Sequence, residues 1–61
     1  MTIKKGDIFD AWCHEFGKVI EVEALEDCPW PKVTSIWVKF VEGGHESVAS
    51  VNQDASWETR I

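Results

Sequence analysis

The chain has 61 residues, of which 44% are hydrophobic and 28% charged, a balance typical of a folded globular domain rather than of a disordered segment. A chain of this length buries only about 60% of the surface that its unfolded form exposes, so it holds one small core at most. The formal net charge is −5, and the few basic residues are scattered along the chain. This charge argues against nucleic acid as a partner, because such binding depends on clustered Lys and Arg.

No segment has the pattern of a secretory signal or of a membrane span. Residues 1–6 lack the apolar stretch of a signal, and no apolar run approaches the roughly 20 residues that cross a bilayer. We therefore expect a cytoplasmic protein with no membrane partner. In a reducing compartment, Cys13 and Cys28 are expected to remain free thiols.

Short runs with apolar residues at every second position follow one another along the chain, which predicts β-strands. The first run covers residues 8–12 and places Phe9 and Ala11 on one face. The second covers residues 18–24. A helix over residues 19–26 is the alternative for this second run, and its β-branched residues disfavour that alternative.

Proline and glycine punctuate the middle of the chain. Residues 25–32 contain two prolines that flank Trp30, which predicts a long, stiff loop without regular strand pairing. Residues 33–40 form the strongest strand pattern and direct Trp37 outward. Gly-Gly within residues 42–45 predicts a tight hairpin turn. The inward positions of the strand before this turn are Ile36, Val38 and Phe40.

The last third of the chain continues the same pattern. Residues 46–51 are expected to return antiparallel to the strand before the Gly-Gly turn. Residues 52–55 predict a turn or a single helical turn, and residues 56–61 alternate again as a closing strand. Trp57 in this last strand is expected in the core or at its rim.

Three sequence motifs resemble the strands of SH3-like small barrels, in particular the KOW and Tudor-like domains. Those domains commonly show K-x-G-D-x-V, then G-x-V-x-x-V, then V-x-V-x-F-x-x-G. The corresponding segments here are KGDIF at residues 5–9, GKVIEV at residues 17–22 and WVKFVEG at residues 37–43. The resemblance extends over residues 3–58 and implies an all-β, five-stranded antiparallel SH3-like barrel, with residues 1–61 as a single domain.

Four residues are candidate metal ligands, namely Cys13, His14, Cys28 and His45. Zinc sites usually draw ligand pairs from tight spacings such as C-x-x-C, whereas the adjacent Cys13 and His14 point to opposite sides of an extended chain. We therefore expect no metal and no other cofactor. Catalysis is not expected either, because a barrel this small fills its interior with side chains and leaves little room for an active-site pocket.

The aromatic residues are the candidate partner-binding residues. In SH3-like barrels the loops after the first two strands flank the recognition groove, so the resemblance implies that Trp12, Phe16 and Trp30 lie near it. Trp37 joins them as an outward ring, and tryptophan is enriched in binding hot spots. The alternative for each ring is that it packs on the barrel as a structural cover.

The favoured function is therefore a small acidic binding module or regulatory subunit that acts by protein–protein interaction, with a basic protein as the complementary partner. A short acidic chain of this kind is also what an accessory inhibitor, for instance a phage-encoded one, would look like. Two alternatives remain. The KOW resemblance implies a nucleic-acid- or ribosome-associated protein, although acidic residues follow Lys18 where that family is basic. A self-associating structural subunit, such as a homodimer built on the Trp37 face, is the other alternative.

Overall fold

Period-two alternation in the sequence becomes β-strand in the structure, a computed structural model that describes residues 2–60. The strands predicted over residues 18–24 and 46–51 have the same bounds in the structure, and the strand predicted over residues 8–12 extends by one residue. The predicted helix alternative over residues 19–26 is absent, because that stretch is strand and loop. The last strand is shorter than predicted, and Ile61 lies outside the described residues. The strands are β1 (Thr2–Ile3), β2 (Ile8–Cys13), β3 (Lys18–Ala24), β4 (Cys28–Pro29), β5 (Ser35–Phe40), β6 (Glu46–Val51) and β7 (Trp57–Thr59).

Five of these strands close into a barrel in the order β2-β3-β5-β6-β7, which confirms the all-β barrel and is consistent with an SH3-like fold. The expectation of a purely antiparallel barrel is wrong at one seam. β2 and β7 pair in parallel, with Trp12 opposite Glu58 and Cys13 opposite Thr59. The reason is geometric: when each of five successive strands reverses direction, the first and the last run the same way, so their closing pair is parallel.

The proline-containing segment also departs from the sequence prediction. The prolines predict that residues 25–32 avoid pairing, whereas β4 pairs antiparallel with β1, with Thr2 opposite Pro29 and Ile3 opposite Cys28. Pro29 is tolerated because it lies in a two-residue strand at the edge of a two-stranded sheet, where a missing ladder hydrogen bond costs little. This small sheet buries Ile3 and Cys28 against the barrel.

The barrel interior is filled mainly by small side chains. Phe40 and Trp57 are the large rings there. Trp57 is 7% exposed, and its ring packs on Phe9 with the centroids 5.0 Å apart. The polar Thr59 is also buried, and its Oγ1 donates a hydrogen bond to the Val48 carbonyl at 3.0 Å. The other buried apolar residues of the barrel strands are Ala11, Cys13, Val22, Ala24, Ile36, Val38, Phe40 and Ala49.

Two turns set the spacing of the last three strands. Gly43 and Gly44 take φ values of 88° and 72°, which glycine adopts without strain, and they form the predicted β5–β6 turn. The β6–β7 turn places Ala55 at φ 67°, where a side chain is strained. Asp54 holds this turn by accepting hydrogen bonds from the Ser56 hydroxyl at 2.6 Å and amide at 3.1 Å, and these bonds lower the pKa of the Asp54 carboxyl. No helix among the described residues is long and apolar enough to cross a membrane.

The neighbours Ile36 and Trp37 point to opposite sides of β5, so their substitution should have different costs. Ile36 is 1% exposed, and Ile36→Ala should lower the free energy of unfolding by about 2–5 kcal/mol. Trp37 is 54% exposed, and Trp37→Ala should change the free energy of unfolding by no more than about 1 kcal/mol. Urea melts at low protein concentration measure both values. A larger cost for Trp37→Ala than for Ile36→Ala would contradict the assignment of inside and outside.

The strained backbone at Ala55 gives a second stability prediction. Glycine adopts positive φ without a steric penalty, so Ala55→Gly should raise the free energy of unfolding by about 0.5–1 kcal/mol. The matched control is Ala49→Gly, which removes a buried methyl group from β6 and should lower stability. Thermal melts of the two variants test this, and destabilisation by both substitutions would refute the strain at position 55.

Candidate functional site

Large apolar side chains remain on the outside of the barrel because its interior is narrow. They are concentrated on the barrel strands and on the turn between β2 and β3, and two surface depressions draw on them. The exposed members are Ile8, Trp12, Phe16, Val19, Trp37, Val41 and Val48.

The first depression lies beside the β2–β3 turn and is named the Phe16 cleft. The turn closes when the Gly17 amide donates a hydrogen bond to the Cys13 carbonyl at 2.8 Å, and this presents the Phe16 ring beside the Phe40 ring. The two rings meet edge to face with their centroids 6.3 Å apart. The cleft has a volume of about 740 Å³ and is lined by Phe16, Val19, Ile20, Phe40, Asp10, Lys18, Glu21 and Glu42.

The rim of the Phe16 cleft is acidic. Asp10 and Glu21 lie directly opposite each other on β2 and β3, and like charges in such a cross-strand pair repel. Among residues 2–60, no ion pair neutralises Asp10, Glu21 or Glu42. Lys18 is the only basic residue in the described lining. A cation placed in the cleft would therefore relieve the repulsion between these carboxylates.

The second depression lies on the outer face of β5, β6 and β7 and is named the Trp37 hollow. Trp37 lies directly opposite Val48 in the β5–β6 pair. Its backbone is fixed on both sides, since its amide donates to Glu26 Oε2 at 2.8 Å and its carbonyl accepts from the Leu25 amide at 2.9 Å. The hollow has a volume of about 650 Å³ and is lined by His14, Trp37, His45, Glu46, Ser47, Val48, Ser50, Glu58, Thr59 and Arg60.

The charges of the Trp37 hollow are mixed. Glu46 and Glu58 contribute the negative charges, and Arg60 contributes a positive one. His14 Nε2 lies 3.4 Å from Glu58 Oε1, so a protonated His14 would form an ion pair there. Lys39 lies opposite Glu46 in the β5–β6 pair. The hollow is therefore close to neutral, in contrast to the Phe16 cleft.

The four candidate binding residues occupy four different settings. Phe16 lines the cleft that carries its name, and Trp37 lines the hollow. Trp12 lies outward between the two depressions, because its neighbour on β3 is Val19 of the cleft and its neighbour on β7 is Glu58 of the hollow. Trp30 is half-buried and packs against the core.

Sequence reasoning missed the valines and the carboxylates that complete these surfaces. In the sequence alone, Val19, Glu21 and Val48 have only the alternating pattern of ordinary strand residues. The β2–β3 register supplies the missing signal, because a hairpin centred on residues 14–17 places Trp12 opposite Val19 and Asp10 opposite Glu21.

The cysteines are core residues and not part of either depression. Cys13 and Cys28 are both buried as free thiols. Cys28 Sγ donates a hydrogen bond to the Val33 carbonyl at 3.1 Å. Burial, and next the nearby Glu26 carboxylate, raise the pKa of the Cys28 thiol. The residues that the structure describes contain no group of three or more His, Cys, Asp or Glu side chains placed to hold a metal ion.

No protein-family model matches this chain, and comparisons with curated proteins and with solved structures give no match either.

The raised pKa of Cys28 predicts how stability depends on pH. The folded-state pKa lies above the ordinary value of 9.0, so the unfolded chain loses this proton first as the pH rises. This contribution to stability is complete below pH 9.0 and decreases as the pH rises from there through the folded-state pKa. Thiolate absorbance of Cys13→Ala, in which Cys28 is the remaining thiol, measures the folded-state pKa.

Glu26→Gln provides the control for this titration. The substitution removes the negative charge but keeps a carbonyl oxygen that can accept the Trp37 amide hydrogen bond. The Cys28 pKa should therefore fall in Glu26→Gln while remaining above its ordinary value, because burial is the larger cause. A native thiol that titrates below 9.0 would contradict the structure around Cys28.

Proposed function

We propose that the protein is a small acidic binding module that captures a basic segment of a protein partner in the Phe16 cleft. The observation that carries the proposal is an apolar depression whose rim holds Asp10, Glu21 and Glu42 without ion-pair partners among the described residues. A regulatory subunit or an accessory inhibitor could use the same surface, with the basic segment belonging to the protein that it regulates.

Affinity would come from the apolar part of the cleft. Phe16 and Val19 are 52% and 56% exposed, so a bound segment could still remove much of their surface from water. Complete burial of such a side chain contributes about 1.5–3 kcal/mol. The exposed Phe16 ring, which packs edge to face on the buried Phe40, also offers an aromatic surface that attracts an arginine or lysine side chain through cation–π interaction.

Selectivity would come from the carboxylates. The like-charge pair of Asp10 and Glu21 gives the unbound cleft a repulsion that a cationic side chain removes. An acidic rim of this kind also accelerates the approach of basic partners and excludes acidic ones. Arginine is the better match than lysine, because its planar guanidinium pairs with two carboxylate oxygens and stacks on aromatic rings.

The fold favours binding over catalysis for this surface. Val22, Val38 and Ala49 are buried among the side chains that fill the barrel, so both depressions lie on its outer face. The resemblance of residues 17–22 and 37–43 to KOW and Tudor-like domains also supports a binding module. The nucleic-acid alternative from the same resemblance has less support, because Lys18 is outnumbered by carboxylates in the cleft and phosphate would be repelled.

A peptide titration tests the proposed cleft. A peptide of alternating leucine and arginine should shift the amide NMR signals around Phe16, Val19 and Glu21, and binding should weaken as salt screens the carboxylates. The same peptide with glutamate in place of arginine should not bind. Phe16→Ala should weaken binding of the basic peptide by about tenfold or more, as expected for a ring at a binding hot spot.

Two glutamine variants separate the cleft from the general charge of the protein. Glu21→Gln removes one rim carboxylate and should weaken binding of the arginine peptide severalfold. Glu46→Gln removes the same charge from the Trp37 hollow and should have little effect. Equal weakening by both variants would show that only net charge matters and would refute the cleft as the site.

A further inference from the structure

We infer that a second copy of this chain binds at the Trp37 hollow, so that each Trp37 ring enters the hollow of the other copy. This interface is separate from the proposed capture of a basic segment, because the Trp37 hollow and the Phe16 cleft have no lining residue in common.

The hollow combines a half-exposed ring with the depression that this ring borders. Trp37 is 54% exposed and forms one wall, Val48 lies directly opposite it in the β5–β6 pair, and the lining continues to Arg60 and His14 beyond. A two-fold axis brings the same patch of both copies together, so a patch must supply both the protruding group and the space that receives it. A ring beside a depression meets this requirement.

The charges of the hollow also favour a second copy. Glu46 and Glu58 are balanced in part by Arg60 and by the neighbouring Lys39, so two hollows can face each other without strong repulsion. Under the two-fold arrangement, the Trp37 ring approaches the far wall that contains Arg60, and an arginine over an indole face is an attractive cation–π pair. The Phe16 cleft differs, since its unpaired carboxylates would repel the same cleft of another copy.

The size of the hollow determines the affinity expected for the dimer. A stable dimer usually buries about 600–1,000 Å² of each partner and uses about 20–30 residues on each side. The chain exposes 4041 Å² in all, so such an interface would use roughly a fifth of that surface. Because the lining of the hollow is smaller than a standard interface, we expect a weak dimer with a Kd on the order of 10⁻⁵ M.

Sedimentation equilibrium over a protein concentration range from about 10 µM to about 1 mM brackets that Kd and tests the inference. The wild-type chain should change from monomer to dimer within the range. Trp37→Ala should raise the Kd at least about 30-fold, as a central ring does at a hot spot. Peptide binding by Trp37→Ala should persist, whereas Phe16→Ala should lose peptide binding and still dimerise. Failure of the dimer proposal can therefore be distinguished from failure of the peptide-binding proposal.

A pair of valine variants provides the matched control. Val48 lines the hollow, whereas Val41 is similarly exposed and lies outside both depressions. Val48→Lys should abolish the dimer in this concentration range, and Val41→Lys should leave its Kd within about threefold of wild type. Amide NMR spectra verify that each variant is folded, and the valine pair decides the question if Trp37→Ala does not fold.

The contact itself is observable by isotope-filtered NMR on a mixture of labelled and unlabelled copies. Cross-copy signals should connect the Trp37 ring protons with the Val48 methyl groups. A wild-type chain that stays monomeric at about 1 mM, well above the expected Kd, would overturn the inference. A dimer that is insensitive to Val48→Lys, or one without the cross-copy signal, would overturn it as well.

Discussion

The narrow interior of a five-stranded barrel is the constraint on which the rest of this structure depends. Its inward positions are occupied largely by alanine, cysteine and valine, and Trp57 is the one indole ring buried there among the described residues. Phe40 and Trp57 already occupy the interior, and because protein interiors are packed as densely as organic crystals, further large rings have no place inside. Trp12, Phe16 and Trp37 therefore remain on the outside, where they are available to a partner.

The parallel seam between β2 and β7 arranges these outward groups around the barrel. It places Trp12 beside Glu58, while the β2–β3 hairpin places the same ring beside Val19. Trp12 thus separates the acidic Phe16 cleft from the nearly neutral Trp37 hollow. A second link runs through the aromatic rings, since His45 of the hollow packs on Phe40 of the cleft with the ring centroids 5.3 Å apart.

The difference in charge between the two surfaces gives them different roles in our account. Asp10 and Glu21 face each other across two strands without a neutralising partner among the described residues, which suits a basic ligand. Glu46 and Glu58 lie near Lys39 and Arg60, which suits an identical surface. Linking two clefts through the hollows would make the assembly bivalent, and bivalent binding gains from effective concentration without any new contact.

The parts of the fold that depend on local pattern could be predicted from the sequence. Alternation predicts which of residues 33–40 point inward, and paired glycines predict the position of the β5–β6 turn. Both can be predicted because each signal involves only residues that are close together in the sequence. The β1–β4 pairing could not be found in this way, since it joins two-residue strands that are distant in sequence. The cleft was missed for a related reason, because it depends on the register between β2 and β3 and on a contact from Phe16 to Phe40.

Hydroxyl-radical footprinting of the tryptophans tests the central claim most directly, because the account depends on which rings the barrel excludes. The experiment uses a protein concentration low enough to keep the chain monomeric, and mass spectrometry measures oxidation at each ring. Trp37 and Trp12, which are 54% and 40% exposed, should oxidise rapidly, whereas Trp57 at 7% should be protected until the chain unfolds. Protection of Trp37 in the monomer, or oxidation of Trp57 as fast as that of Trp37, would contradict the account.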